Sequence, residues 1–450
     1  MDNSTPIIFT LSKEDRSPFK TPDNNITSYT MENIIDDKYL RNQKAELPQV
    51  SESQVVRHFT NLSVKNHHVD KNFYPLGSCT MKYNPKINDK IAMLNDFSQI
   101  HPNEQNTEDI QGILEVYYTL GEYLCEITGM HKITLQPSAG SQGELVGLLL
   151  MKKYHEAHNN KDKKYIIIPK TAHGTNPASV IMSGYLVKQV KSDDRGRVCI
   201  EHLKELVDEQ TAGMMLTQPN TLGLFEDNIE KICGIIHSVD GLMYMDGANL
   251  NALVGMVSPC KMGFDITHIN LHKTFSTPHG GGGPGAGPVA VNKKLSDYLP
   301  TPIVESDGSI FYFKELDQSI GKVHSFFGNY GVLLRAYVYI LSLGKEGLKE
   351  VSQKAVLNAN YLKALLIGSY DIPYSDGTMH EFVISAEKQK KKGLKALDIA
   401  KNLLDFGFHP PTVYFPINVP ESIMIEPTET ETKETLDLFS EKMKYLDKNV

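Results

Sequence analysis

Tyr165-Ile166-Ile167-Ile168-Pro169 is a short, continuously apolar run that follows a helical pattern at residues 144–155. A strand buried on both faces of a sheet has this composition, whereas a half-exposed strand alternates apolar and polar residues. Similar runs recur further along the chain, with helical segments between them. Strands that alternate with helices indicate βαβ units, so the sequence predicts an α/β fold with a mostly parallel sheet.

Other predicted elements extend this pattern. Buried strands are expected at 185–190, 213–217, 241–245 and 266–271. Helices are expected at 110–129, 144–155, 201–210 and 227–238. After about residue 331 the order becomes mixed, with helices at 332–343, 347–367 and 394–406, strands at 380–386, 412–415 and 422–425, and a last helix ending near residue 445. That order predicts a smaller α+β domain.

The first 86 residues contain no long periodic segment and are rich in proline, asparagine and charge. So long a stretch without regular structure is not expected to be a domain by itself. The predicted organisation is therefore an extended arm at 1–86, a large α/β domain at 87–330 and an α+β C-terminal domain at 331–450.

Charge and composition exclude several classes of function. The 450 residues hold 46 Lys and Arg against 54 Asp and Glu, a net charge of −8 that argues against a nucleic-acid or anionic-membrane binder. The lysine run at 388–392 is accordingly predicted to be a solvated loop. No apolar stretch approaches the ~20 residues that a membrane span needs.

The cysteines and the N-terminus predict a cytoplasmic protein. The five cysteines are scattered and form no C-x-x-C pair, which fits reduced thiols better than a disulfide framework or a zinc site. The first residues lack the basic and apolar regions of a signal peptide, and they carry acids that mitochondrial presequences avoid.

Lys273 is the strongest candidate for covalent chemistry. It directly follows the predicted strand at 266–271 and precedes a glycine-rich stretch that lets backbone approach a ligand closely. A lysine removed from water is a usable nucleophile toward a carbonyl. An exposed lysine before a flexible loop explains the pattern equally well when it is taken alone.

Two further residues sit where strands of the predicted sheet end. Asp246 closes the run at 241–245, and His173 follows the run at 165–169. Open α/β sheets bind ligands at this edge, where a buried carboxylate needs a cation or a strong donor and an imidazole stacks on rings or moves protons. A turn aspartate and a structural histidine are the alternative explanations.

Ser138-Ala139-Gly140-Ser141-Gln142-Gly143 precedes a helix expected to begin near Glu144. Free N–H groups at a helix start, together with the Ser141 hydroxyl, suit a phosphate dianion, although a simple N-cap has the same sequence. The formal dinucleotide fingerprint at Gly280, Gly282 and Gly285 is rejected. Pro284 interrupts it, and residues 289–291 after it resemble a strand rather than a helix.

A phosphate cradle, a stacking histidine, an aspartate for a ring nitrogen and a Schiff-base lysine are together the set of groups that pyridoxal phosphate requires. The combination is more specific than any single member.

The residues also resemble a known family. The segments 73–85 (FYPLGSCTMKYNP), 172–179 (AHGTNPAS), 246–251 (DGANLN) and 272–288 (HKTFSTPHGGGGPGAGP) resemble the glycine decarboxylases, the P-proteins of the glycine cleavage system. Residues 379–382 (MHEF) and 425–430 (IEPTET) extend the match into the last domain. The length and the lysine segment resemble the second subunit of the two-subunit form. One departure is Gln218, where relatives are expected to carry Asn.

The resemblance implies an aminotransferase-like fold type I enzyme with pyridoxal 5′-phosphate bound as a Schiff base on Lys273. It further implies that Asp246 pairs with the pyridine nitrogen, that His173 stacks on the ring, that Ser141 and Gln142 lie near the phosphate, and that His272 belongs to the cofactor site. No metal is expected.

The implied reaction is decarboxylation of glycine, with transfer of the aminomethyl group to the lipoyl arm of the H-protein and reduction of the lipoyl disulfide. The implied assembly is a heterotetramer with the first subunit. Residues 76–84 are the candidate lining of the lipoyl channel, where Cys79 is either a redox-sensitive thiol or a small turn residue. A different fold type I amino-acid enzyme and a scaffold without cofactor chemistry are the alternatives.

Overall fold

The computed structural model describes residues 4–14, 16, 34–43, 45–104, 106–278 and 285–449. The chain divides into two compact units, Met1–His68 and Val69–Val450. Residues 279–284, which include two glycines of the rejected dinucleotide fingerprint, lie outside the described residues. No helix of the described part is long and apolar enough to cross a membrane.

The unit Met1–His68 contains a regular helix that we did not expect. Helix α1 spans Glu52–Lys65 and begins with a capping box, in which the Ser51 side chain accepts from the Gln54 N–H and the Gln54 side chain accepts from the Ser51 N–H. Short 3₁₀ turns occur at Ile8–Leu11 and Asp37–Tyr39. The expectation that the first 86 residues lack regular structure is wrong for α1, and the Ser51-x-x-Gln54 pattern is the signal for it.

The remaining helices all belong to the unit Val69–Val450. They are α2 (Lys86–Ala92), α3 (Asn95–Ser98), α4 (Gln111–Thr128), α5 (Gly140–Ala157), α6 (Thr175–Met182), α7 (Ile200–Leu206), α8 (Ile229–His237), α9 (Leu271–Thr274), α10 (Tyr330–Leu366), α11 (Glu387–Lys391), α12 (Ala396–Asp405) and α13 (Lys433–Lys448). Helix α10 breaks at Gly344, whose φ is 60°, as the two predicted helices at 332–343 and 347–367 require. The prediction of a solvated loop at 388–392 is wrong, because Glu387–Lys391 forms helix α11.

The strands form three sheets. They are β1 (Lys132–Thr134), β2 (Tyr165–Pro169), β3 (Leu186–Val190), β4 (Thr211–Thr217), β5 (Leu242–Gly247), β6 (Ile266–Ile269), β7 (Val289–Val291), β8 (Ile303–Ser306), β9 (Phe311–Lys314), β10 (Phe382–Ser385), β11 (Thr412–Val413) and β12 (Ser422–Ile425). The large sheet has the order β1-β7-β6-β5-β4-β2-β3, β10-β12-β11 is a second sheet, and β8 pairs with β9.

The large sheet is mostly parallel, as predicted. Strands β3, β2, β4, β5 and β6 run parallel, and β7 runs antiparallel to both of its neighbours, β6 and β1. Ile167 packs into one hydrophobic cluster, while Ile166 and Ile168 pack into another. Because successive side chains of a strand point to opposite faces, both faces of β2 are covered, which explains the continuous apolar run.

The prediction of a buried strand at 185–190 is only half right. Strand β3 forms at this position, but it is the edge of the sheet and its Leu186 is exposed. The expected strand at 266–271 ends earlier, because Leu271 begins the single-turn helix α9. This early end matters for function, since it places Lys273 on a turn of helix at the carboxyl end of β6.

The second sheet packs with the last helices. Phe382 and Ile384 of β10 share a buried cluster with Leu436 and Phe439 of α13. The mixed order of helices and strands after residue 331 is confirmed by these elements, while the division of the chain into an arm, a large domain and a small domain stays a prediction.

The close packing of α5 on the large sheet gives a stability prediction. A Cβ at Gly147 in α5 would overlap Cε2 of the buried Tyr244 ring, whereas a Cβ at Gly234 in α8 would meet nothing within 4 Å. Gly147→Ala should lower the free energy of unfolding by about 1–3 kcal/mol through overpacking.

Gly234→Ala is the matched control, because it carries the same gain in helix propensity without a clash and should raise stability by about 0.5–1 kcal/mol. Urea unfolding of both variants measures the difference. Equal stabilities for the two variants would contradict this account of the packing.

Candidate active site

The carboxyl ends of the central strands bring the predicted residues to one cavity. This cavity has a volume of about 230 Å³. Five of the six sequence-predicted residues line it, and these are Ser141, His173, Asp246, His272 and Lys273. The sixth, Gln142, is not part of the lining. Parallel strands end at a common edge of the sheet, which is why residues up to 132 positions apart meet here.

Lys273 is half-buried in α9. Its backbone N–H donates to the carbonyl of Asn270 at 3.0 Å, which closes the single helical turn after β6. Its Nζ donates to the carbonyl of Ser78 at 2.7 Å. The amine is therefore directed by a segment almost 200 residues away in sequence, which local sequence patterns do not reveal.

Asp246 is a buried carboxylate at the end of β5. It accepts from Asn176 Nδ2 at 3.0 Å and from the Ala248 N–H at 2.9 Å, and Nε2 of His268 lies 3.4 Å from its Oδ1. Burial favours the neutral carboxyl, but His268, the Asn176 amide and the Ala248 N–H outweigh it and hold the pKa of Asp246 below its usual value. The site thus carries a fixed negative charge.

At 138–143 a turn leads into a helix, as predicted, but the helix begins earlier than expected. Helix α5 starts at Gly140 rather than near Glu144, so Ser141 and Gln142 lie in its first turn. The first N–H groups of a helix have no acceptor within it and attract anions. Gln142 Oε1 instead accepts from the N–H and hydroxyl of Ser138, at 2.6 and 2.8 Å, so its side chain shapes the turn.

His173 precedes α6, a helix that the sequence analysis missed. Its Nδ1 lies 3.1 Å from Oγ1 of Thr175, and its ring meets Phe415 edge-on at 5.9 Å between centroids. Burial, followed by the nearby Lys273 charge, lowers the pKa of His173. A neutral imidazole suits stacking or proton transfer near neutral pH.

The lining of the cavity fits pyridoxal phosphate. An amine is present for the Schiff base, an ionised Asp246 for a protonated ring nitrogen, and the start of α5 for a phosphate. A Cβ at Gly140 would lie only 2.6 Å from Oδ1 of the buried Asn270. The absence of a side chain at Gly140 thus lets the start of α5 approach a polar group closely, as expected where a polar ligand binds.

Two buried glutamates bind the segment at 78–80, whose Ser78 carbonyl accepts from Lys273. Local sequence did not single out either glutamate. Glu381 Oε2 accepts from the Ser78 N–H at 2.7 Å, and Glu426 accepts from the Thr80 N–H and hydroxyl at 2.9 and 2.6 Å. Ser78 and Thr80 have φ values of 64° and 49°. Such left-handed conformations are costly for non-glycine residues and persist where surrounding bonds fix them.

The two glutamates and His380 form one buried cluster. Their ligand atoms lie within 4.8 Å of one another, a spacing that a metal ion could also use. Burial raises the pKa of Glu426 to about 7 and that of Glu381 well above its usual value, and it lowers the pKa of His380 to about 3. The carboxyl oxygens of Glu381 and Glu426 accept hydrogen bonds from the 78–80 segment, so we interpret the cluster as holding that segment in place.

Lys82 joins four parts of the site. Its buried Nζ donates to Glu429 at 2.7 Å, to Asn251 Oδ1 at 2.8 Å and to the carbonyl of Thr274, next to Lys273, at 2.8 Å. Burial opposes the charged amine, but Glu429 and Tyr339 outweigh it and raise the pKa of Lys82. The sequence analysis quoted these segments only as family motifs.

Gln218 and Cys79 have simple structural explanations. The buried Gln218 accepts from the Glu226 N–H at 3.0 Å and donates to its carbonyl at 3.4 Å, so it serves the turn after β4. The half-buried Cys79 has a pKa raised by burial, which disfavours the reactive thiolate. The small-residue explanation of Cys79 therefore agrees with its surroundings.

Comparison with protein families gives matches over most of the chain. The family described as "Glycine cleavage system P-protein" matches residues 23–309, and "Glycine dehydrogenase, C-terminal domain" matches residues 351–450. A "Probable glycine dehydrogenase (decarboxylating) subunit 2" of Staphylococcus haemolyticus is 54% identical over 98% of this chain and 90% of its own length. The protein of the same name in Staphylococcus aureus strain Newman is 55% identical over 97% of this chain and 89% of its own length.

Solved structures share the fold. A glycine decarboxylase (P-protein) of the glycine cleavage system in inhibitor-bound form has a TM-score of 0.80 at 19% identity, covering 95% of this chain and all of its own. A glutamate decarboxylase of Lactobacillus brevis has a TM-score of 0.69 at 14% identity. The match covers 93% of this chain and 96% of the decarboxylase. A cysteine desulfurase of Thermococcus onnurineus has a TM-score of 0.66 at 14% identity. The match covers 85% of this chain and 96% of the desulfurase. The fold is that of the pyridoxal-phosphate enzymes of type I.

The Lys82–Glu429 pair gives a prediction about stability. Lys82→Met leaves the Glu429 carboxylate buried without its cation, which should cost about 3–5 kcal/mol of unfolding free energy. Adding Glu429→Gln removes the stranded charge and should restore part of the loss. Urea unfolding measures both variants.

Lys354→Met is the control, because Lys354 pairs with Glu350 on an exposed helix face and should leave stability unchanged. If Lys82→Met unfolds at the same urea concentration as the unaltered chain, the pair does not have the structural role described here.

Proposed function

This chain belongs to the glycine cleavage system P-protein family, and from that premise we propose the residues that carry its chemistry. It is a pyridoxal-phosphate-dependent enzyme that decarboxylates glycine and transfers the aminomethyl group to the lipoyl arm of the H-protein. The observation that best supports the residue assignments is that the Lys273 amine, the ionised Asp246 and the start of α5 face one cavity.

We assign the cofactor-binding roles as follows. Lys273 would hold the cofactor as a Schiff base, Asp246 would pair with the ring nitrogen, and His173 would stack on the ring. Ser141 and the N–H groups of the first turn of α5 bind the phosphate, with His272 beside them in the cavity lining. Gln142 contributes through its backbone, since its side chain is committed to Ser138 and to the carbonyl of Val323.

The bound cofactor supplies an electron-accepting ring and an aldehyde that forms Schiff bases with amines. Asp246 holds a proton at the ring nitrogen, because its own low pKa keeps it an anion in a buried site. The carbonyl of Ser78 fixes the direction of the Lys273 amine. These groups are fixed before glycine arrives, so little reorganisation is needed during reaction.

The overall chemistry balances as a two-electron reduction of the lipoyl disulfide. Glycine loses its carboxylate as CO₂, and the electron pair of that bond forms a new bond from the aminomethyl carbon to one sulfur. The other sulfur leaves as a thiolate and takes up a proton. We propose that residues 76–84 line the channel for the lipoyl arm, because Ser78 both lines the cavity and holds Lys273.

We propose that the chain works as one of two subunit types in a heterotetramer, since its relatives are named subunit 2. Its other proposed partners are glycine and the lipoylated H-protein. A cytoplasmic location is proposed as well, in keeping with the five free cysteines. A desulfurase or another amino-acid decarboxylase shares the fold, but activity without a lipoylated carrier would be needed to favour either.

Borohydride reduction of the assembled enzyme, followed by peptide mass mapping, should give a single pyridoxyl adduct on Lys273. Lys273→Ala should lose the adduct and glycine-dependent CO₂ exchange while keeping its fold, because no other amine lines the cavity among the described residues.

Lys170→Ala is the matched control. Lys170 is exposed at the same edge of the sheet, one residue after β2, and its removal should change neither adduct nor exchange. An adduct elsewhere, or CO₂ exchange by Lys273→Ala, would overturn the assignment.

Asp246→Asn removes the fixed charge and should lower kcat by about 100-fold or more, while phosphate contacts retain the cofactor. Kinetics and the absorbance of the bound cofactor measure both effects. Asp208→Asn, an exposed change, should leave them unaltered. Near-normal turnover by Asp246→Asn would remove Asp246 from the proposed machinery.

A further inference from the structure

Glu144 is a buried carboxyl in the wall of the cavity that none of the roles above uses. It lies in the second turn of α5, and two hydroxyls of α6 donate to it. Thr175 Oγ1 lies 2.7 Å from Oε1, and Ser179 Oγ lies 3.1 Å from Oε2. Glu144 and Thr175 both line the cavity beside His173.

The Thr175 hydroxyl connects this carboxyl to the histidine. Its Oγ1 lies 2.7 Å from Glu144 and 3.1 Å from Nδ1 of His173. A hydroxyl has a single proton to donate, so it serves one of these neighbours as donor and the other as acceptor. An ionised Glu144 can only accept from the hydroxyl, whereas a Glu144 protonated at Oε1 donates to it, so protonation at Oε1 sets the direction of both bonds.

The two directions correspond to two tautomers of neutral His173. When Glu144 is ionised, Thr175 donates to it, and its oxygen accepts from a proton on Nδ1, which leaves Nε2 with a free lone pair. When Glu144 is protonated, it donates to Thr175, Thr175 donates to Nδ1, and the ring proton stays on Nε2. The Thr175 N–H, 3.3 Å from Nδ1, supports the second arrangement.

We propose that Glu144 is a positioning residue for His173, and that it acts through the Thr175 hydroxyl to select which ring nitrogen carries the proton. The proposal rests on the role of His173 in the proposed function. It adds a relay of Glu144, Thr175 and His173. The relay decides whether Nε2 of His173 acts as a proton donor or a proton acceptor.

The surroundings of Glu144 bring its pKa close to neutral pH, where a change in its protonation state can switch the relay. Burial, followed by the Asp246 carboxylate, raises the pKa of Glu144 to about 7. Tyr244 and Asp246 face it from β5, His173 lies before α6, and His268 and Lys273 line the cavity from β6 and α9. Asp246 keeps a lowered pKa beside it, so the two carboxyls of one site are separated into an acid and an anion.

The reaction of His173 with diethyl pyrocarbonate reports the tautomer without cofactor or turnover. The reagent attacks an unprotonated ring nitrogen, and Nδ1 is occupied by Thr175. The experiment uses the full-length chain without added cofactor, and peptide mass mapping measures the rate of modification at His173. This rate should rise about fivefold as pH increases through 7. The size of the rise corresponds to the extra strength of a hydrogen bond to an ionised partner compared with a neutral one. This rise lies above the lowered pKa of His173 itself.

Variants identify the relay. Glu144→Gln and Thr175→Val should lose the rise near pH 7, because the first has no titration and the second has no hydroxyl. Thr175→Ser should keep it. Ser179→Ala is the matched control, since it removes a donor to Glu144 that does not touch His173, and it should keep the rise as well.

Persistence of the rise in either Glu144→Gln or Thr175→Val would overturn the relay, and Glu144→Gln alone suffices if Thr175→Val does not fold. Adduct mapping at Lys273 separates this result from the proposed function. An adduct without the rise refutes the relay alone, whereas the rise without an adduct refutes the cofactor assignment and leaves the relay standing.

Discussion

The ionised carboxylate of Asp246 is the charge on which the arrangement of the site depends. It is buried at the end of β5, so every neighbour must either donate to it or adjust to it. The amide of Asn176 and the N–H of Ala248 donate, and they thereby fix the start of α6 and the turn after β5. The same charge raises the pKa of Glu144. One anion thus organises the end of β5 and the start of α6, and it influences Glu144 in α5.

Lys273 is positioned mainly by residues remote in sequence. The carbonyl of Ser78 accepts from its amine, and Ser78 is in turn held by Glu381. Lys82 binds the carbonyl next to Lys273 and pairs with Glu429. The buried carboxyls of Glu381 and Glu426 help to hold the strained segment at 78–80, so residues after 380 belong to the site as much as the sheet edge does.

Most of the fold follows from sequence patterns, and the departures have physical reasons. The continuous apolar run at 165–169 predicts a strand covered on both faces, which is confirmed. Helix α6 was missed because it is short and begins after Gly174 without an apolar stripe. The residues that line the cavity at strand ends were predictable, because topology places them together. The roles of Glu381, Glu426 and Lys82 could not be predicted, because they come from long-range pairing and burial.

Glu144 illustrates why residue type and local pattern do not decide function. In sequence it is the acid that follows a Ser/Gly turn and marks an expected helix start, and such an acid is ordinarily solvated and ionised. In the structure it is buried beside a second carboxylate that holds the stronger donors. Two like charges at that proximity do not both ionise readily, so the carboxyl with the weaker donors keeps its proton to near neutral pH. The near-neutral pKa of Glu144 thus arises from its burial and from its competition with Asp246 for donors, and local sequence shows neither.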